Sequence, residues 1–277
     1  MKKKLVVLLA AAVAVMTVIT GCGNKATTSD NGSTPKTAAN EEKAKGDTFT
    51  VGFDAEYPPY GYMDDNGEYV GFDLDLAQEV CDRNGWELVK KPIDWDSKDM
   101  ELESGSIDCI WNGFTMTGRE DDYTWSEPYL DNAQIFLVSA DSDITTQEDL
   151  SGKNVDVQAG SAALAALKDQ EGLVKLFANL TEVPDYNTAV MELESGAVDA
   201  VAIDRAISYG YIKDGKVKAL QAEISKEQYA IGFKLGNTEL RDQVQKTMDE
   251  MIKDGTVDKI AANYEEDHIP ESLCTGK

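Results

Sequence analysis

Short apolar runs alternate along this chain with longer stretches whose apolar residues recur at helical spacing. Phe49-Thr50-Val51-Gly52-Phe53 reads as a first strand, leading into Asp54-Ala55-Glu56-Tyr57-Pro58-Pro59-Tyr60, a loop stiffened by two prolines. Asp64-Asp65-Asn66-Gly67 has the composition of a hairpin turn. Gly71-Phe72-Asp73-Leu74-Asp75-Leu76-Ala77 opens an amphipathic helix that Asn84-Gly85 closes. Residues 86–90 form a second expected strand and 98–104 a second helix. Further strands are expected at 133–138 and 154–158, and the turn Ala159-Gly160-Ser161 opens an alanine-rich helix over 162–168. Residues 229–233 read as a return strand and 238–253 as a final helix. Alternation of this kind predicts parallel sheets covered by helices.

One phrase occurs twice. Glu101-Leu102-Glu103-Ser104-Gly105-Ser106-Ile107-Asp108 is echoed 91 residues later by Glu192-Leu193-Glu194-Ser195-Gly196-Ala197-Val198-Asp199. Each copy reads as a helix end, a glycine turn and then a short apolar strand, Cys109-Ile110-Trp111 or Ala200-Val201-Ala202-Ile203. The first strand is followed by Asn112-Gly113-Phe114-Thr115 and the second by Asp204-Arg205. Ligands of open α/β sheets bind beyond the carboxyl ends of strands, so two similar units would offer polar groups to one ligand. Chance recurrence of a common helix–glycine–strand unit is the plainer alternative.

The ends set the compartment. Lys2-Lys3-Lys4 followed by the apolar run from Leu5 to Ile19 has the form of a secretory signal, too short for a spanning helix of about 20 residues. It ends in Ile19-Thr20-Gly21-Cys22, which resembles the lipobox of bacterial lipoproteins. That likeness implies a signal peptide over 1–21, a lipid on Cys22 and a location on the extracytoplasmic face of the membrane. Residues 23–46 lack apolar periodicity, so 22–46 read as an anchored flexible tether. About 230 residues remain, enough for two modest lobes or one large domain. Loss of Lys2, Lys3 and Lys4 takes the formal charge from −25 to −28. So acidic a body repels nucleic acid and anionic lipid, which leaves the lipid as its membrane link. Cys81 and Cys109 fall on a helix and a strand, where buried thiols are the expectation, and no spacing fits a metal knuckle.

Eight separated stretches then resemble, in order, the extracellular solute-binding proteins of family 3, the substrate-binding lipoproteins of polar amino-acid ABC importers. They are Gly52-Phe53-Asp54 with Tyr57-Pro58-Pro59-Tyr60; Gly71 to Leu76; Gly105 to Asp108; Thr115-Met116-Thr117 with Arg119; Trp125-Ser126 to Tyr129; Asp149 to Lys153; Gln158-Ala159-Gly160-Ser161; and Gly196 to Asp204. The likeness covers roughly residues 47–265. It implies an α/β, two-lobe, type II periplasmic-binding-protein-like fold with a ligand cleft between the lobes. Residues 47–131 with 230–277 would form one lobe and 132–229 the other. The expected partners are an amino acid, an ABC permease and its ATPase subunits, for a monomer that needs no cofactor and no metal.

The resemblance also implies a site. An α-amino acid buries a carboxylate and an ammonium, and each needs a partner. Arg119 suits the carboxylate as a planar fork, aided by Thr115 and by the helix start at Ser161 and Ala162. Asp204 resembles the family's ammonium acceptor. Tyr57, Trp95 and Phe114, with Gly113 beside them, resemble walls around the ligand's stem, as does Tyr60, which core packing would explain equally well. Asp54, Asn112 and Gln158 resemble polar selectors. Trp111, inside a strand, reads as core. The family usually spaces Thr-x-x-Arg where this chain has Thr117-Gly118-Arg119, so the aim of Arg119 depends on the turn at Gly118. A small dehydratase-like enzyme or a ligand sensor on the same scaffold are the alternatives. Against catalysis, His268 is the only histidine, and neither a zinc-type His-Glu-x-x-His nor a Gly-x-Ser-x-Gly elbow occurs.

Overall fold

The computed structural model describes residues 42–275. The leader, Cys22 and most of the expected tether lie outside the described residues. The tether's last residues, from 42 onward, are held to the body: the Lys43 amide donates to Gln243 Oε1 at 2.9 Å, and Lys43 Nζ pairs with Asp108 at 2.9 Å.

Two large sheets organise the chain, beside a small one of Glu56–Tyr57, Gly61–Met63 and Tyr69–Val70. The first places its strands in the order Glu87–Pro92, Thr48–Phe53, Cys109–Ile110, Gly232–Phe233 and Thr124–Trp125. Thr48–Phe53 runs parallel to both of its neighbours, and Phe49, Val51 and Phe53 are wholly buried. The helix Phe72–Asn84 lies against it and turns out through Gly85 at φ 70°. Gly71, just before that helix, has φ 139°, and a Cβ there would stand 2.3 Å from the Tyr60 carbonyl oxygen. Only glycine lets the helix start so close to the neighbouring loop. The helices Thr238–Lys253 and Thr256–Ala261 return to pack on Phe72–Asn84.

The second sheet runs Asn179–Val183, Asn154–Gln158, Ala200–Asp204, Leu130–Ser139 and Val217–Ala219, with Ser225–Tyr229 also paired to Leu130–Ser139. Helices Ala162–Asp169 and Tyr186–Ser195 cover it. The expectation of parallel sheets holds for part of each sheet only. Leu130–Ser139 runs antiparallel to all three of its partners, and Gly232–Phe233 is antiparallel as well. An apolar run looks the same in either direction, and here the direction is imposed by where the chain enters the sheet. The expected single return strand over 229–233 is in fact divided, its start in the second sheet and its end in the first.

The chain therefore passes between the sheets twice, between Trp125 and Leu130 and between Tyr229 and Gly232. These passages lie side by side: Leu130 to Gln134 pair antiparallel with Tyr229 to Ser225. A continuous apolar cluster runs through the junction from Phe49 and Phe72 to Ile203 and Ile207. No helix among the described residues is long and apolar enough to cross a membrane.

Candidate functional site

Four strand ends converge between the sheets. Thr48–Phe53 delivers Asp54, Cys109–Ile110 delivers the loop 112–115, Asn154–Gln158 delivers the turn 159–161, and Ala200–Asp204 ends on Asp204. Tyr57, Trp95, Gly113, Thr115, Arg119, Gln158, Ser161, Ala162 and Asp204 together line one cavity between them. Of the twelve positions expected at a ligand, nine lie on this wall, while Asp54, Asn112 and Phe114 stand one layer behind it.

At one end sits Arg119. Its Nη1 donates to the Thr115 carbonyl at 3.4 Å and its Nη2 to the Gly160 carbonyl at 3.3 Å. The guanidinium lies 5.4 Å from the Phe114 ring centroid, so Phe114 backs the arginine rather than the cavity. The shortened spacing is taken up by a tight turn in which the Arg119 amide donates to Met116 O at 2.9 Å, with Gly118 at φ 81°. Ser161 Oγ accepts from the Leu164 amide at 3.1 Å and caps the helix Ala162–Asp169. Its hydroxyl is thus engaged by the cap, while the first turn's remaining amides face the cavity end with the helix's positive pole.

Sequence reasoning missed Lys98. This lysine is 5% exposed and donates to Gly160 O at 3.2 Å and Trp95 O at 3.4 Å, 5.3 Å from the Trp95 ring centroid. Burial, aided by the Arg119 charge, holds its ammonium below the ordinary lysine range. Two cations from beside the first sheet therefore meet one carbonyl at a strand end of the second.

The opposite end is acidic. Asp204 Oδ1 accepts from Tyr229 OH at 2.7 Å, Gln134 Nε2 at 2.6 Å and Asn132 Nδ2 at 2.9 Å, and Oδ2 from Tyr186 OH at 3.3 Å. Glu227 lies within hydrogen-bonding reach of Asp204, and its Oε1 accepts from Asn132 at 2.6 Å, Gln134 at 2.8 Å and Thr115 Oγ1 at 3.1 Å. Thr115, expected to offer its hydroxyl to a ligand, gives it to Glu227 instead. Burial first, and then the Asp204 carboxylate, push Glu227 up to about 8. Nothing in the sequence near Glu227 marks it, because its partners come from three other segments.

Asp54 accepts from Gln158 Nε2 at 2.7 Å, a contact between the lobes, and from the Glu56 amide at 2.9 Å. Burial raises its pKa, with Asp185 and Glu56 adding to the rise and the two donors opposing it. Asn112 Oδ1 accepts from the Asp54 amide at 3.0 Å and so steadies this loop. Tyr57 packs 6.1 Å from Tyr186 across the lobes. Tyr60 and Trp111 are fully buried in the core. Among the described residues no His, Cys, Asp and Glu side chains gather as a metal would require. Cys81 and Cys109 are buried free thiols, the former pushed up to about 12 by burial. The lobes are closed on one another, and the cavity has about 10 Å³ of room, on the order of one water. Any larger ligand must find the cleft parted.

Known proteins bear the same architecture. A substrate-binding protein of an ABC uptake transporter from Streptococcus pneumoniae, solved with bound histidine, is 31% identical with a TM-score of 0.76, covering 78% of this chain and 92% of that one. An ancestral arginine-binding protein bound to arginine is 38% identical with a TM-score of 0.72, over 79% and 97% of the two chains. The L-cystine-binding protein TcyJ of Escherichia coli is 29% identical across 81% of this chain and 85% of its own length. These relatives are solute-binding proteins and not enzymes, which removes the dehydratase alternative. Residues 49–267 match the model of the bacterial extracellular solute-binding proteins, family 3, and the chain belongs to that family.

Proposed function

We propose that this protein closes its cleft over a polar L-α-amino acid and hands it to the permease of an ABC importer. The observation that carries this reading is the opposed charge of one cavity's two ends. Arg119 and the helix start at Ser161 suit a carboxylate, and Asp204 suits an ammonium. The relatives support it, since cystine, arginine and histidine share both groups and differ only in their side chains. In the bound form Arg119 turns its fork from the Gly160 carbonyl to the ligand, while Lys98 keeps its hold on that carbonyl. Tyr57 and Trp95 flank the stem, and Gln158, backed by Asp54 and Asn112, meets a hydrogen-bonding side chain.

The body divides, in this reading, into 47–131 with 230–277 and 132–229, joined by the paired passages. Cys22 carries the lipid that keeps the receptor at the extracytoplasmic face, and the protein works as a monomer. The test is a thermal-shift screen of the purified protein against free L-amino acids and L-cystine. A ligand at a hundredfold excess over its Kd adds about 2.7 kcal/mol of stability, a readily visible rise in Tm. Its amide and its N-acetyl derivative, each lacking one charged end, should shift Tm far less. A molecule without an α-carboxylate that binds as tightly as any amino acid would overturn the assignment.

A further inference from the structure

Asp204 and Glu227 pose a charge problem that nothing around them solves. Both are buried, at 3% and 6% exposure, and their carboxyl groups are within hydrogen-bonding reach of each other. Every donor they receive is neutral: the hydroxyls of Thr115, Tyr186 and Tyr229 and the amides of Asn132 and Gln134. Gln134 directs its amide nitrogen at both acids while its own buried carbonyl oxygen has no donor. Arg205, next in sequence to Asp204, is paired with Glu223 at 2.7 Å, and among the described residues no cation pairs with either acid. Two adjacent buried carboxylates without a cation cannot both stay ionised, so the pair retains one proton. Three donors occupy Glu227 Oε1, which leaves the other oxygen of that group to carry it.

We infer that Glu227 is the second carboxyl of the ammonium site, a positioning residue that holds a proton against Asp204 and releases it when a cationic amine enters. The inference rests on the amino-acid reading above and deepens it: the ligand's ammonium is the countercharge the pair lacks. The exchange balances. One O–H bond of Glu227 breaks, its electron pair stays on the carboxylate, the proton goes to water, and the amine keeps all three of its hydrogens.

A route out exists that does not cross the closed cleft. Glu227 and Asn132 also line a depression of about 610 Å³ behind the paired passages, together with Arg205, Tyr209 and His268. The charged and titratable groups facing Glu227 are few. Asp204 stands at the end of its strand, Tyr186 on its helix, and Tyr229 on the strand of Glu227 itself. On the depression side stand Arg205 and Lys226, both engaged with Glu223, and His268, engaged with Glu271. Burial first and then Asp204 raise Glu227 well above the ordinary carboxylate range, which favours its protonated form before a ligand arrives.

Isothermal titration of the full chain decides the matter, using the tightest binder among L-arginine, L-glutamine and L-cystine between pH 6 and 8. L-Histidine is avoided because its imidazole titrates in that range. Glu227 is protonated before binding and ionised after it, so affinity should rise with pH, by up to about tenfold per unit. Enthalpies in phosphate and in Tris should differ by the heat of transferring up to one proton per ligand. Glu227→Gln, which keeps a neutral donor beside Asp204, should show a flat pH profile and equal enthalpies in the two buffers. Proton-free binding by the wild type, or proton release retained in Glu227→Gln, overturns the inference. If that variant fails to fold, as judged by circular dichroism, the wild-type buffer pair alone decides. If no free L-amino acid in the thermal-shift screen binds, the amino-acid reading fails first, and visibly so.

Discussion

Asp73 offers the sharpest test of how the first lobe holds its share of the cleft. It is wholly buried at the start of the helix Phe72–Asn84, where Oδ2 accepts from the Gly113 amide at 2.6 Å and Oδ1 from Tyr129 OH at 2.8 Å. One carboxyl group thus ties the cavity loop to Tyr129, the last residue of the first passage between the sheets. Asp73→Ala strands both donors in the core, at about 1–3 kcal/mol each, so a loss of about 2–6 kcal/mol is expected. Asp73→Asn keeps one acceptor, and the Tyr129 hydroxyl can rotate to accept from the new amide, which limits the loss to about 1 kcal/mol. The two variants also separate in pH. Burial raises Asp73 from 3.8 to about 7, against the pull of the Gly113 amide, the Tyr129 hydroxyl and the nearby Trp111 indole. The folded chain therefore keeps a proton that the unfolded chain releases near pH 4. The stability tied to it is fully present below pH 4 and is lost as pH climbs through 7, about 4 kcal/mol in all. Asparagine has no such proton to lose. Urea unfolding followed by tryptophan fluorescence at pH 4.5, 6 and 7.5 should show wild type losing stability relative to Asp73→Asn as pH rises. Parallel curves for the two proteins would refute the burial argument, and an undiminished Asp73→Ala would refute the anchoring one.

Three further outcomes follow from the geometry. Arg119→Ala and Asp204→Asn should each weaken binding of the identified amino acid by about 2–5 kcal/mol, the scale for removing one partner of a desolvated charge pair, and unchanged affinity by titration calorimetry would leave that residue a purely structural role. Gly160→Ala should cost about 1 kcal/mol of folding stability, because Gly160 has φ 66°, and should weaken binding as well, because its Cβ would lie 3.1 Å from Lys98 Nζ only when the lobes are closed. Wild-type values of both Tm and Kd would remove that turn from the closing contact. Cys22→Ala should move the protein out of the membrane fraction without changing its ligand affinity, and persistence there after a high-salt wash would exclude the lipid anchor.

What the sequence made legible was local. Asp54, the loop 112–115, Gln158 with Ser161, and Asp204 each stand at or just beyond a strand end, and the rule that ligands gather there reaches them without any knowledge of packing. Lys98, Asn132, Gln134 and Glu227 obey no such rule. Lys98, Asn132 and Glu227 are polar residues in polar surroundings along the chain and Gln134 is a lone amide in an apolar run, and only the meeting of two lobes and two passages brings them together. Phe114 shows a subtler limit: an aromatic after a strand can face the ligand or support the group that does, and its contacts with Arg119 and Trp125 select the second role. The antiparallel course of Leu130–Ser139 was hidden for a simpler reason, since side-chain alternation carries no sign of direction.

The paired passages have a mechanical consequence. Leu130 to Gln134 are zipped to Tyr229 to Ser225, so the lobes are joined by one ribbon rather than by two independent cords. A two-stranded ribbon twists and bends across its flat face, but stretching or splaying it would break its ladder bonds. Opening is thereby confined to essentially one soft coordinate, and a single distance is enough to follow it. Met100 and Met191, 68% and 70% exposed on opposite sides of the ribbon, are natural places for a donor and an acceptor dye. The fold is in that sense already wired as a one-channel gauge of its own occupancy.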